Sequence, residues 1–231
     1  MNRAELTRGY LLHRRAYRET SVIAELFTLD HGRMGTVAKG ARRHRSPLRG
    51  ALQAFQPRLF SWQGRGELAT LTAAEASENF PPLEGDALAS GFYANELLMR
   101  LLPRNDGNSA LFHAYEALLD ALRQTADVEP ALRRFEKQLL DALGYGLELE
   151  LDTRGRPVRG DQRYLYVAET GAVALGDGET GENAISGATL IALATDTLSP
   201  SAQPEAKRLM RQVLNHYLGD KPLVSRSLFR R

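Results

Sequence analysis

The sequence predicts an α+β fold: an N-terminal OB-type β-barrel followed by a mainly α-helical C-terminal domain with an irregular insert. Three observations predict it. Up to about residue 80, β-branched and aromatic residues recur in short runs separated by turn signals. After Pro81-Pro82 the apolar spacing changes to that of a helix. Charge divides along the chain as well. Residues 1–72 hold 13 Lys and Arg against 5 Asp and Glu, residues 73–203 hold 10 against 21, and residues 204–231 hold 7 against 2. A net charge of +2 therefore hides a basic front, an acidic middle and a basic tail.

The barrel needs five strands. TRGYLLHRRAY (7–17) and TSVIAELFTLD (20–30) suit a pleated, half-buried surface. Asp30-His31-Gly32 signals a turn, and RMGTVAKG (33–40) resumes the strand pattern. ALQAFQPRLFSW (51–62) and GELATLTAAE (66–75) flank a hairpin turn at Gln63-Gly64-Arg65-Gly66. Five short strands in under 80 residues suit an OB barrel, with an SH3-like barrel as the nearest rival. Domain one is thus residues 1–80 and domain two residues 81–231.

The second domain reads as helices. Leu88, Phe92, Met99 and Leu102 share one helical face, with Asn95 as its polar exception. Ser109 can cap a helix carrying Phe112, Tyr115, Leu118, Leu119 and Leu122. Pro130 opens a third with Leu132, Phe135, Leu139 and Leu143, ended by Gly144. Pro204 begins a fourth through Leu209, Val213 and Tyr217, closed by Gly219. Residues 147–185, rich in Gly and acids, read as the insert, with RYLYVAE and GAVALG as short strand-like pieces.

Composition narrows the function. Hydrophobic content of 43% in 231 residues supports a sizeable core. There is no Cys, so neither a disulfide nor a thiolate zinc site can form. The first residues lack the apolar core of a signal peptide, and no run approaches 18 apolar residues, so a cytoplasmic protein off the membrane is expected. No motif supports an active site, and no enzyme is expected. Lys39 precedes Gly40 with no Ser or Thr after it, unlike a phosphate loop. The five His are scattered, and no Gly-x-Ser-x-Gly elbow occurs. Glu148, Glu150 and Asp152 would share one face of a strand, which a metal nuclease could use, but a solvated edge explains them as well.

Binding remains. RMGTVAKGARRHRSPLR (33–49) holds Arg33, Lys39, Arg42, Arg43, Arg45 and Arg49 with no acid among them. Clustered cations beside glycines suit a polyanion such as nucleic acid, whereas the bland alternative is a solvated, disordered loop. Arg65 adds charge in the hairpin turn. Most front-domain aromatics are expected in the barrel core. Tyr17, beside Arg14, Arg15 and Arg18, is the best candidate for stacking on a base.

VAKGAR (37–42), GALQ-x-F (50–55) and GRGE (64–67), with ALRRFEKQLLDALGYG (131–146) and HYLGDKPLVSRSLF (216–229), resemble the RecO family of bacterial recombination mediators over nearly the whole chain. The resemblance implies an OB fold on a helical domain, binding of single- and double-stranded DNA, and annealing of complementary strands. It also implies loading of RecA onto DNA coated by single-stranded-DNA-binding protein (SSB), together with RecR, in the bacterial cytoplasm at the nucleoid. The alternative is mainly a protein adaptor for RecR and the acidic SSB tail. Arg133 and Arg134 match the element near the family's tail groove, and Lys207, Arg208 and Arg211 are added from charge alone. Many relatives carry four zinc-binding cysteines after the GYG element; without cysteine, no metal or other cofactor is expected here, and packing must hold the insert.

Overall fold

The computed structural model describes residues 6–64, 68–176, 179, 181 and 183–229. Five strands close a barrel: β1 Thr7–Tyr17, β2 Ser21–Thr28, β3 Gly32–Ala38, β4 Arg58–Gln63 and β5 Ala69–Ala76, in the order β1-β2-β3-β5-β4. Neighbours are antiparallel except β3 and β5, which pair in parallel at Thr36–Ala69 and Val37–Thr70 and complete the closure. Closure pairs the barrel strands on both sides except where β1 runs on past the barrel and keeps β2 as its one partner. Inside lie Leu11, Leu26, Met34, Phe60, Trp62 and Leu71 among others.

Every residue of β2 is buried. Val22, Ala24 and Leu26 face the barrel core. On the outer side, Phe27 meets Phe112 and Tyr115 at ring-centroid distances of 5.4 and 5.9 Å. Tyr10, paired with Phe27 across the ladder, meets the same two rings at 5.8 and 5.3 Å. These rings belong to α3 (Ser109–Gln124), which packs with α2 (Gly85–Leu101) over the strands. The expectation that most front aromatics fill the barrel is therefore corrected. Phe60 and Trp62 do; Tyr10 and Phe27 build a second apolar layer, because the sheet is covered on both faces.

Two further expectations shift. The run 51–62 is not one strand: Pro47–Ala51 is a short helix, α1, and only Arg58–Gln63 is strand. In α2 the buried face carries Tyr93, Ala94, Leu97 and Leu98, whereas Phe92 is exposed and Leu88, Met99 and Leu102 are half-buried. Asn95 is buried with that face. Its amide donates to the Leu12 carbonyl at 3.0 Å and its oxygen accepts from the Tyr115 hydroxyl at 2.6 Å. A buried amide satisfied on both sides reads as a polar exception only in one dimension. Gly91 lets α2 approach closely, since a Cβ there would stand 2.8 Å from the Phe55 ring. The cap of α3 is Asn108, whose oxygen accepts from Leu111 N–H at 2.9 Å, and not Ser109.

Residues Thr125–Pro222 form a separate compact unit, and the chain returns from Leu223 onward to the unit that holds the barrel. The second unit contains α4 Glu129–Ala142, α5 Gly187–Ala194, α6 Gln203–Leu218 and a three-stranded sheet, β7-β6-β8. Leu132, Phe135 and Leu139 are buried as expected. Tyr217 instead stacks on Tyr145 at 4.2 Å. The two strand-like pieces form β6 Arg163–Val167 and β7 Gly171–Ala174, and β8 Ala184–Ser186 joins them. Glu205 ties this unit together. Its Oε2 accepts from the Ser186 and Thr189 hydroxyls, both at 2.6 Å, which joins α6 to the start of α5. A 3-10 helix, Val224–Phe229, ends the described chain and packs on α2.

Candidate nucleic-acid interface

The first strand outruns the barrel. It pairs with β4 only at Thr7–Gly9, and past a bulge at Leu11–His13 it pairs with β2 alone. Its burial changes there: Leu11 and Leu12 are buried, and His13 to Ala16 are exposed. Arg14 and Arg15 ride on this projecting end, and the three-residue turn 18–20 closes it. Arg18 occupies the left-handed region of the backbone at φ 52° and lays its guanidinium over the Tyr17 ring, 5.1 Å from the centroid.

The basic loop folds back onto this hairpin. After β3 the chain turns at Gly40, where φ is +69°. Ala41 then plugs into the barrel core at 3% exposure. Arg42 N–H donates to the Thr20 carbonyl at 2.9 Å, and the Arg42 guanidinium donates to the Arg18 carbonyl at 3.2 Å. At the loop's far end Arg14 donates to the Leu52 carbonyl at 2.7 Å. The loop is therefore a moored element, and the disordered-loop alternative does not describe it.

Two clefts result. One is lined by Arg14, Arg15, Arg42 and Arg49 over a floor of Val22 and Ala41. The other is lined by Tyr17, Arg18, Glu19, Lys39 and Arg43 beside Gly40. Among the described residues, no ion pair engages any of these seven cations. Such unneutralised charge at one rim attracts polyanions.

Other expected residues are placed differently. Arg33 does not join the rim. Its Nε lies 3.8 Å from Glu25, and its guanidinium donates to the Met99 carbonyl. Burial lowers its pKa, against the raising effect of Glu25. Glu25 also pairs with Arg104, so a buried carboxylate draws Arg33 inward. Arg45 is exposed but lines neither cleft. Arg65 lies outside the described residues. Arg18 went unrecognised as a site residue; the run Arg14-Arg15-Ala16-Tyr17-Arg18 was the available signal.

In the second unit, Arg133 is 5% exposed and pairs with Glu136 at 2.9 Å and Glu129 at 3.8 Å. It is a core ion pair and presents no charge to a docking tail, which corrects its assignment. Lys207 reaches the same Glu129 at 2.5 Å and so clasps α6 to α4. Arg208 donates to the Ala184 carbonyl at 2.9 Å. Arg134 pairs with Asp196 at 3.3 Å and is half-exposed, and Arg211 is exposed. These cations are distributed over two helices, and most are already neutralised.

A closed five-stranded barrel in the order β1-β2-β3-β5-β4 places the N-terminal part of the chain in the OB class of barrels. Comparison with known proteins narrows the class. The family model described as Recombination protein O N terminal matches residues 1–80, and that described as Recombination protein O C terminal matches residues 82–227. The chain is 48% identical over 231 residues to DNA repair protein RecO of Methylococcus capsulatus, covering 99% of this chain and 94% of that one. It is 51% identical over 225 residues to DNA repair protein RecO of Alkalilimnicola ehrlichii, covering 96% and 89%. The same name attaches to a relative in Nitrosospira multiformis, 47% identical over 231 residues, with 99% and 96% covered. The chain belongs to the RecO family of DNA repair proteins.

A thiolate zinc site does not fit this chain. The sequence offers no thiolate, and among the described residues no three His, Asp or Glu side chains are grouped to hold a metal. Local hydrogen bonds hold the segment instead. Asp152 Oδ1 accepts from the backbone N–H groups of Arg154 and Arg156 at 2.8 and 2.9 Å, and Glu148 accepts from those of Glu150 and Leu151. The Tyr164 hydroxyl accepts from Arg159 N–H at 2.8 Å. Among the described residues, no helix is long and apolar enough to cross a membrane.

Proposed function

We propose that the barrel rim binds DNA and anneals complementary strands, and that the protein helps load RecA onto SSB-coated single strands together with RecR. No covalent step is involved, so the protein is not an enzyme, and its work lies at the bacterial nucleoid. One observation carries this reading: Arg14, Arg15, Arg18, Lys39, Arg42, Arg43 and Arg49 surround one end of the barrel without carboxylate partners among the described residues. Two phosphate backbones repel. A surface of fixed positive charge between them lowers that repulsion, and release of condensed counterions drives the binding.

The acidic SSB tail is assigned to the second unit. There Arg134, Lys207, Arg208 and Arg211 keep partly or fully exposed guanidinium or ammonium groups, whereas Arg133 is withdrawn.

The test is a variant carrying Arg42→Ala, Arg43→Ala and Arg49→Ala. Its binding to a labelled single strand is measured over a range of salt, and its annealing of SSB-coated strands is followed. Weaker binding across sequences and a shallower salt slope are expected, with annealing slowed in parallel. Parental binding in this variant would refute the reading.

A further inference from the structure

We infer that the two clefts divide the work: the arginine cleft holds the backbone of either single- or double-stranded DNA, and the Tyr17 cleft takes an unstacked nucleotide and so selects single strands. This rests on the reading of the rim as a DNA interface.

The lining chemistry differs on the two sides of Arg42. The first cleft presents four guanidinium groups, no acid and no aromatic ring. Guanidinium groups recognise phosphate oxygens bidentately and indifferently to sequence. Four fixed charges also match the denser phosphates of a duplex, one per about 1.7 Å of axis against about 3.4 Å for one strand. The second cleft presents three cations, the Glu19 carboxylate and a phenol ring. Its net charge is lower, and both clefts are of similar volume, about 450 and 560 Å³, so lining chemistry and not size tells them apart.

The ring decides the specificity. Tyr17 ends β1 half-buried, so its position is set by the hairpin. One face already carries the Arg18 guanidinium, a flat cationic group of the kind that a base can replace or extend by stacking. A paired base inside a duplex keeps both faces covered by its neighbours and cannot offer one to Tyr17. A base in a single strand can. Arg18, Lys39 and Arg43 would then hold the phosphates on either side of that nucleotide. Arg42, which lines the first cleft, donates to the Arg18 carbonyl at the second and so links the two.

The test compares a labelled single strand with a labelled duplex of the same length, titrated against the full chain. Tyr17→Leu removes the ring and keeps apolar bulk. It should weaken single-strand binding by about five- to a hundred-fold and leave duplex binding within about two-fold. Tyr17→Phe should restore single-strand binding. The double variant Arg15→Ala, Arg49→Ala should weaken both ligands and lower both salt slopes. Exposed Lys39→Gln gives a second probe of the Tyr17 cleft should Tyr17→Leu melt early, and it should affect the single strand more than the duplex. If the Tyr17 cleft variants weaken both ligands equally, or neither, while the arginine variant weakens both, the division is overturned and the DNA interface stands. If no variant changes either ligand, the interface itself fails.

Discussion

The Arg42 guanidinium donates to the Arg18 carbonyl at 3.2 Å, while the Arg42 backbone N–H donates to the Thr20 carbonyl at 2.9 Å. One residue thereby fastens the basic loop to the hairpin turn and still leaves charge at the rim. Removing the side chain as alanine keeps the backbone bond. Unfolding free energy is expected to fall by less than about 1 kcal/mol, because the side-chain hydrogen bond is exposed. The salt slope of single-strand binding should shallow by about 0.7 for each phosphate that is no longer neutralised. Denaturant melts and salt-dependent fluorescence anisotropy read these separately.

Arg18 sits in left-handed backbone at φ 52°, a conformation that costs a non-glycine residue about 1–2 kcal/mol. Arg18→Gly relieves that strain, less roughly 0.5–1 kcal/mol of added chain entropy in the unfolded state. The variant should be as stable as the parent or more so, yet bind single strands more weakly. Loss of stability together with unchanged binding would mean that Arg18 serves the turn alone.

Arg133→Ala removes the guanidinium that pairs at 2.9 Å with the fully buried carboxylate of Glu136. Breaking such a pair costs about 3–5 kcal/mol. Arg134, half-exposed against Asp196, should cost less than about 1 kcal/mol as alanine. Thermal melts should therefore separate two neighbours that look alike in the motif. A tail-binding defect in Arg133→Ala has to be read against its melting curve.

Glu96 gives a pH dependence with a defined sign. Burial pushes its carboxyl up, but the Ser225 hydroxyl, the N–H groups of Ser225 and Val224, and the Arg100 charge together hold it below the ordinary range. A depressed carboxylate contributes stability that is complete above the unfolded value, about 4.3, and is lost as pH falls through the lower folded value. The 3-10 helix whose first N–H groups it caps should loosen in that acid window. Following the Ser225 amide by NMR through the titration should show a step with its midpoint below about 4.3. Glu96→Gln should abolish that step.

Gly91→Ala tests the packing of α2 against the barrel unit's Phe55. The new Cβ would stand 2.8 Å from a ring that also packs edge-on to Phe92 at 5.1 Å, so the ring has little room to yield. Overpacking costs about 1–3 kcal/mol, more than the roughly 1 kcal/mol of helix propensity alanine adds. A lower melting temperature with unaltered DNA binding is expected.

Five barrel strands and four long helices were legible from local pattern, but their faces and bounds only in part: the spacing put Phe92 on the buried face of α2, where it is exposed, and ran the fourth strand back to residue 51. The supply of cations at 33–49 was legible from composition, and the family from its motifs. Local pattern could not tell Arg33 from Arg42, or Arg133 from Arg134. Each pair carries the same charge within a short stretch, and the difference lies in carboxylates brought near by the fold: Glu25 for Arg33, Glu136 for Arg133. Nor could it show β2 covered on both faces, since Phe112 and Tyr115 arrive from some 85 residues away. Sequence determined the elements and the supply of cations. Tertiary structure decided which cations stay free, because an ion pair depends on distance in space, and the hairpin and moored loop set those distances only once the barrel has closed.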